Sequence, residues 1–168
     1  MKIQLLKHFT CLFMLLIATS KIHAQDTFLD ATFGNNGVVK TAINGGIDDS
    51  FGIALDNNEN ILVAGFTTRP FTLTLDMVLL KYTPNGNLDP NFGTAGIVTF
   101  NNGDQDVGAD VKVQPDNKIV VGGTSGFGGQ GPRDFAVWRY LPNGTPDNTF
   151  GTNGFASAPI GIDFQDAN

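Results

Sequence analysis

Catalysis needs a nucleophile, a base or a metal ligand, and this chain offers few of them. Both histidines (His8, His23) and the single cysteine (Cys11) fall within the first 24 residues. From residue 25 onward, neither a Ser-His-Asp or Cys-His apparatus nor a His/Cys zinc site can be assembled. Carboxylate pairs are what is left, and paired acids can do general acid–base work. Asp48 with Asp49, and Asp104 with Asp106, are the closest in sequence. Neighbours on a strand point to opposite faces, so Asp48 and Asp49 should diverge. Asp104 and Asp106 can share a face, but at their position acids more often cap turns. No catalytic role is expected of either pair.

Aromatic and cationic side chains are the next candidates. Trp138, the only tryptophan, together with Tyr82 and Tyr140 could form a carbohydrate platform. Trp138 occupies the repeat position of Leu80 in an apolar stretch, however, and the two tyrosines recur in register. Packing between sheets is the expectation for all three. Arg69 and Arg133 lie in variable connections and read as solvated charges.

These residues must be positioned by a repeat. LDATFGNNGVV (29–39), LDPNFGTAGIV (88–98) and PDNTFGTNGFA (146–156) share x-Asp-x-x-Phe-Gly-x-x-Gly, and Phe33, Phe92 and Phe150 stand 59 and 58 residues apart. Stretch 76–99 aligns with 134–157 without a gap, with ten identities in 24 positions. A fixed period of this length marks a repeat architecture.

Within a unit the apolar period is 2, as in strands with one face inward: Phe51, Ile53 and Leu55 alternate with Gly52, Ala54 and Asp56. A turn at 56–60 or 115–118 leads to a second strand, Ile61 to Gly65 or Ile119 to Gly123, apolar on both faces like a strand between layers. A third strand, Asp76 to Tyr82 or Asp134 to Tyr140, closes on Pro-Asn-Gly. The signature then opens a short fourth strand at Val38-Val39, Gly96 to Phe100, or Gly154 to Ala156. The fold class is all-β, in four-stranded antiparallel blades.

The signature has its own physical logic. Gly34 and Gly37, with Gly93 and Gly96 and with Gly151 and Gly154, supply backbone freedom. Asp30, Asp89 and Asp147 should accept hydrogen bonds from nearby backbone N–H groups and close a local turn. Phe33, Phe92 and Phe150 should plug the space between neighbouring sheets. A calcium loop would need oxygens at alternate positions, where this motif places Phe, so no metal or other cofactor is expected.

Composition sets the address. Lys2 and Lys7 precede an apolar run from Phe9 to Ala18, too short to span a bilayer, and small Ala24 offers a cleavage position. Residues 1–24 read as a signal peptide and the product as exported, starting at Gln25, with no membrane insertion once the signal is removed. Beyond residue 24, sixteen acidic residues face seven basic ones, a net charge of −9. That balance argues against nucleic acid or anionic membrane as partners, and no cysteine is left for a disulfide.

The signature, preceded by Tyr-x-Pro-Asn-Gly and by Pro-Asp-Asn-Lys-Ile-Val-Val-Gly-Gly (115–123), resembles the delta-60 repeat of secreted and cell-surface bacterial proteins. The resemblance covers most of the chain after residue 24 and implies propeller-like blades. One departure is Pro146, where the other copies have Leu29 and Leu88. Units are expected at 25–46 (the closing element of a partial repeat), 47–104 and 105–162 (repeat blades), with 163–168 opening another. Two blades cannot close a ring, so an incomplete ring and further repeats of a longer chain are expected. The functional expectation is a non-catalytic, exported scaffold or interaction module with an unknown protein or glycan partner. The alternatives are part of an extracellular propeller enzyme, or a carbohydrate-binding module, with the site in missing blades. The variable connections 66–76 and 124–134 are the natural places for specificity.

Overall fold

The computed structural model describes residues 29–43, 45–69, 74–103, 105–126 and 133–159. The expected signal peptide, Asp104, the opening at 163–168 and much of the 66–76 and 124–134 connections lie outside these. Among the described residues all regular structure is β, in two antiparallel sheets of four strands. The first, blade 1, runs β1 (Asp48–Leu55), β2 (Ile61–Thr68), β3 (Leu75–Tyr82) and β4 (Ile97–Phe100). The second, blade 2, repeats it with β5 (Val107–Val113), β6 (Ile119–Gly126), β7 (Arg133–Tyr140) and β8 (Phe155–Ala158). Each sheet is a meander in which sequence neighbours pair.

Local chemistry accounts for the turns. Between β1 and β2, the Asp56 carboxylate accepts the N–H groups of Asn58 (2.8 Å) and Asn60 (2.9 Å). Asp116 does the same for Lys118 N–H (3.2 Å) in blade 2. Both are side-chain mimics of a backbone turn.

Each first strand carries a bulge, at Ser50/Gly52 and at Gly108/Asp110. Opposite the bulge stands a glycine in each blade. A Cβ on Gly65 would come 1.9 Å from the Asp49 carbonyl, and one on Gly123 1.9 Å from that of Val107. The bulge pushes a carbonyl across the strand gap, and only a hydrogen can face it.

Two apolar layers follow. The main core lies between the sheets, where Leu62, Met77, Leu79 and Phe92 of blade 1 meet Val111, Ile119, Val121, Ala136, Trp138 and Tyr140 of blade 2. Each large side chain buried there contributes about 1.5–3 kcal/mol. A smaller cluster, Ile43, Val78, Leu80 and Tyr82 with Val39, Ile61 and Val63, lies on the other face of blade 1. β2 and β3 are thus apolar on both sides: one side meets blade 2, and the other is partly covered by Val39 and Ile43.

Three expectations need correction. β2 and β6 extend to Thr68 and Gly126, beyond the glycines at which their apolar runs pause. Val38-Val39 is not a strand: only an isolated bridge, Asn35 to Val38, forms there, because no third strand lies alongside it among the described residues. The apolar face of β1 is not turned inward either. Phe51, Ile53 and Leu55 are exposed, while Gly52 and Ala54 face blade 2, with Gly52 against the backbone of Asp110 and Val111.

Candidate interaction face

The signature folds the same way three times. Its acid closes the turn: Asp30, Asp89 and Asp147 accept the N–H of Thr32 (2.9 Å), Asn91 (3.0 Å) and Thr149 (3.0 Å). The second glycine then donates to the carbonyl of the phenylalanine, Gly37 to Phe33 (2.8 Å), Gly96 to Phe92 (2.8 Å) and Gly154 to Phe150 (2.9 Å). Gly34, Gly93 and Gly151 sit at φ of 54°, 51° and 51°, and Gly37, Gly96 and Gly154 at 85°, 93° and 81°. The residue between, Asn36, Ala95 or Asn153, is also left-handed. Three positive-φ residues in five explain why the motif is rich in Gly and Asn.

The first two copies then dock on the Pro-Asn-Gly turn of the next unit. Gly34 N–H donates to the Asn85 carbonyl (3.0 Å), and Gly93 N–H to that of Asn143 (2.9 Å). A Cβ on Gly86 would lie 3.1 Å from the Phe33 ring, and one on Gly144 3.1 Å from the Phe92 ring. Phe92 is fully buried as a plug between the sheets, whereas Phe33 and Phe150 are half-buried.

Charge is organised around the same motif. Lys81 is buried with its Nζ 3.0 Å from Asp56 and 3.6 Å from Asp89, and it lies over the Phe92 ring at 5.6 Å. In blade 2, Arg139 takes that position, 2.8 Å from Asp147 and 4.7 Å above the Phe150 ring, with Lys118 adding a 3.4 Å contact. Burial works against the charged form of Asp56, but bonds from Asn60 and Lys81 outweigh it and hold its carboxyl below the ordinary value. Thr149, through both hydroxyl and N–H, holds Asp147 far below the usual carboxylate range, with help from Lys118 and Arg139. Burial drives the Tyr140 hydroxyl the other way, and the charge of Asp106 adds to the effect. These carboxylates are held charged by structural partners, which is the opposite of a base poised near neutrality.

The other candidate residues separate as follows. Asp48 accepts Ile43 N–H (2.8 Å) and Asp49 accepts Ser50 N–H (2.8 Å), so the two serve different backbone groups. Asp106 accepts Asn102 N–H (3.1 Å), the blade 2 counterpart of the Asp48 contact. Trp138 is 1% exposed and packs on Phe100 and Phe155, each with its centroid 5.6 Å away, so its ring presents no sugar platform. Tyr82 and Tyr140 are buried. Arg69 is not simply solvated: it pairs with buried Asp76 at 2.9 Å. Arg133 is exposed.

What the arrangement offers to a partner is one sheet face. Val111 of β5 is fully buried against blade 1, yet Ile53, its counterpart in β1, is 68% exposed. Beside Ile53 runs a groove of about 470 Å³, lined by Phe33, Val39, Ile43, Ile61, Val63 and Leu80, with Asp48 and Asp49 at its rim. Sequence reading missed the groove and the bulge-facing glycines. The recurrence of Gly65 and Gly123 in register was a signal for the latter.

Residues 114–150 match the model of a family described as a domain of unknown function (DUF5122) beta-propeller. No curated protein matches the chain. The matched stretch runs from the residue after β5 to Phe150 and contains β6, β7 and the turn on which Phe92 docks. The 114–150 stretch, within the second of two four-stranded antiparallel sheets, is thus similar to the DUF5122 beta-propeller family, in keeping with the delta-60 repeat that the signature resembles.

Proposed function

We propose that this chain is a non-catalytic, exported repeat module whose blades present an interaction surface. The observation that carries the reading is the uncovered apolar face of blade 1, where Ile53 stands 68% exposed at a position fully buried in blade 2. A face built for burial and left open is a binding surface in the physical sense. The chemistry of the chain supports the same reading. After residue 24 it has no His or Cys, and the carboxylates of its signature serve to close turns and balance Lys81, Lys118 and Arg139. Export follows from the positive, apolar and small-residue order of 1–24.

Expression of the full chain in a bacterial host with intact secretion tests both halves. The product recovered outside the cytoplasm should begin at Gln25 by N-terminal sequencing, and it should show no turnover on glycoside, ester and phosphoester substrates. A cytoplasmic product with residues 1–24 intact would overturn export. Turnover that survives purification to homogeneity would overturn the non-catalytic reading.

A further inference from the structure

Six Asn-Gly pairs occur in the sequence, at Asn36, Asn44, Asn85, Asn102, Asn143 and Asn153. Such a pair can modify itself, because no side chain on the glycine hinders its backbone nitrogen from reaching the asparagine side-chain carbon. The fold closes this route at four of them. Gly37 donates its N–H to Phe33 (2.8 Å), Gly86 to Thr83 (2.9 Å), Gly144 to Leu141 (2.9 Å) and Gly154 to Phe150 (2.9 Å), each time to a backbone carbonyl inside a tight turn. Asn44 lies outside the described residues. Asn102 and Gly103 differ from the other four pairs. Both residues are exposed, Gly103 has a φ of 99°, and a Cβ built on it would meet no heavy atom within 4 Å. Its N–H goes to a side chain, the Asn101 carboxamide oxygen (2.6 Å), rather than to a backbone carbonyl.

Asn102 also stands at the joint between the sheets. Its N–H donates to Asp106 (3.1 Å) and its side-chain amide to the Ser125 hydroxyl of β6 (2.9 Å), and both acceptors are buried. Asp106 N–H in turn reaches the Leu75 carbonyl of β3 (2.8 Å). Asn102 and Asp106 therefore tie the end of blade 1 to blade 2, and a change in the Asn102 side chain is felt by buried groups of both sheets.

We propose that Asn102-Gly103 is a self-modification site, which converts to aspartate and isoaspartate and thereby limits the lifetime of the joint between blades 1 and 2. The Gly103 nitrogen gives its proton to water or hydroxide and attacks the Asn102 side-chain carbon. The new C–N bond closes a cyclic imide, and the amide nitrogen leaves as ammonia. Water then adds at either imide carbonyl, breaking one C–N bond and leaving a carboxylate. Opening at the side-chain carbonyl gives aspartate, and opening at the main-chain carbonyl gives isoaspartate. Neither product keeps the amide donor that Ser125 accepts, because a carboxylate only accepts. The new charge also stands on the residue that already touches Asp106, and two carboxylates at one buried contact repel. Isoaspartate adds one carbon to the main chain, which displaces the Asn102 anchor relative to Asp106.

Ageing the unmodified full-length chain at mildly alkaline pH, with peptide mapping by mass spectrometry, tests this. Replacement of an amide NH by O should appear first in the peptide holding Asn102, as a chromatographic pair of aspartate and isoaspartate products. Asn36, Asn85, Asn143 and Asn153 should lag by about fivefold or more, the factor that one net hydrogen bond of about 1 kcal/mol supplies. The same chain aged unfolded in guanidinium chloride should lose that ranking. Conversion at any of those four as fast as at Asn102 in the folded chain would overturn the proposal. So would an intact Asn102 in the folded chain once the unfolded sample has converted. A species converted only at Asn102, isolated by anion exchange, should unfold at a lower urea midpoint than fresh protein, and Asn102→Asp should reproduce part of that drop. An unchanged midpoint in both would overturn the effect on the joint.

Discussion

Val111 and Ile53 occupy one position of one repeat, yet one is sealed and the other is largely bare. Their strands carry the same bulge, meet the same kind of hairpin and place the residue on the same side of the sheet. What differs is the neighbour. Blade 1 lies against β5, while among the described residues only the 29–43 element covers part of the corresponding side of blade 1. Burial in a stacked array is a property of the junction and not of the residue, as nearest-neighbour energetics in repeat proteins require.

The largest expected effect comes from putting a charge at both positions. Val111→Asp buries an unpaired carboxylate and should abolish cooperative unfolding at 25 °C, whereas Ile53→Asp should change stability by less than about 0.5 kcal/mol. Urea titrations followed by circular dichroism separate the two, and equal losses would refute the comparison. The plugs come next. Phe92→Ala should cost about 3–5 kcal/mol and half-buried Phe150→Ala clearly less, by the same titration.

Gly65→Ala probes the bulge. With 1.9 Å between the added carbon and the Asp49 carbonyl, a loss of about 1–3 kcal/mol is expected. Gly122→Ala, with no heavy atom within 4 Å, should be nearly silent.

Acid gives the smallest and most graded response. Asp56 and Asp147 are held below the ordinary carboxylate value of 3.8, so the unfolded chain binds their protons more readily than the folded one. Their contribution is present above about pH 4 and fades as pH falls through the lowered values. The urea midpoint should drop between pH 5 and pH 3, and Asp147→Asn should flatten that drop. A midpoint that rises on acidification would contradict the assignment.

Much of this was legible in the residues themselves. The period, the strand order and the turn-closing acids follow from local chemistry that every copy repeats, and the buried position of Trp138 follows from its alignment with Leu80. The exposure of Phe51, Ile53 and Leu55 was not legible, because their alternation reads the same whether or not a sheet covers them. Val38-Val39 failed as a strand for a related reason: β propensity needs a partner strand to act on. The Arg69–Asp76 pair lies between a variable connection and a strand, where the repeat gives no second copy to compare.

The bond between Gly93 and Asn143 reaches across fifty residues, yet the Phe92 turn it docks is closed by contacts only a few residues long. Synthesis runs from the N-terminus, so that turn can be complete before its receiving Pro-Asn-Gly has been made. Growth of the array is thereby directional: each blade arrives to find a finished template, and the search for its place reduces to threading onto a mould set by its predecessor.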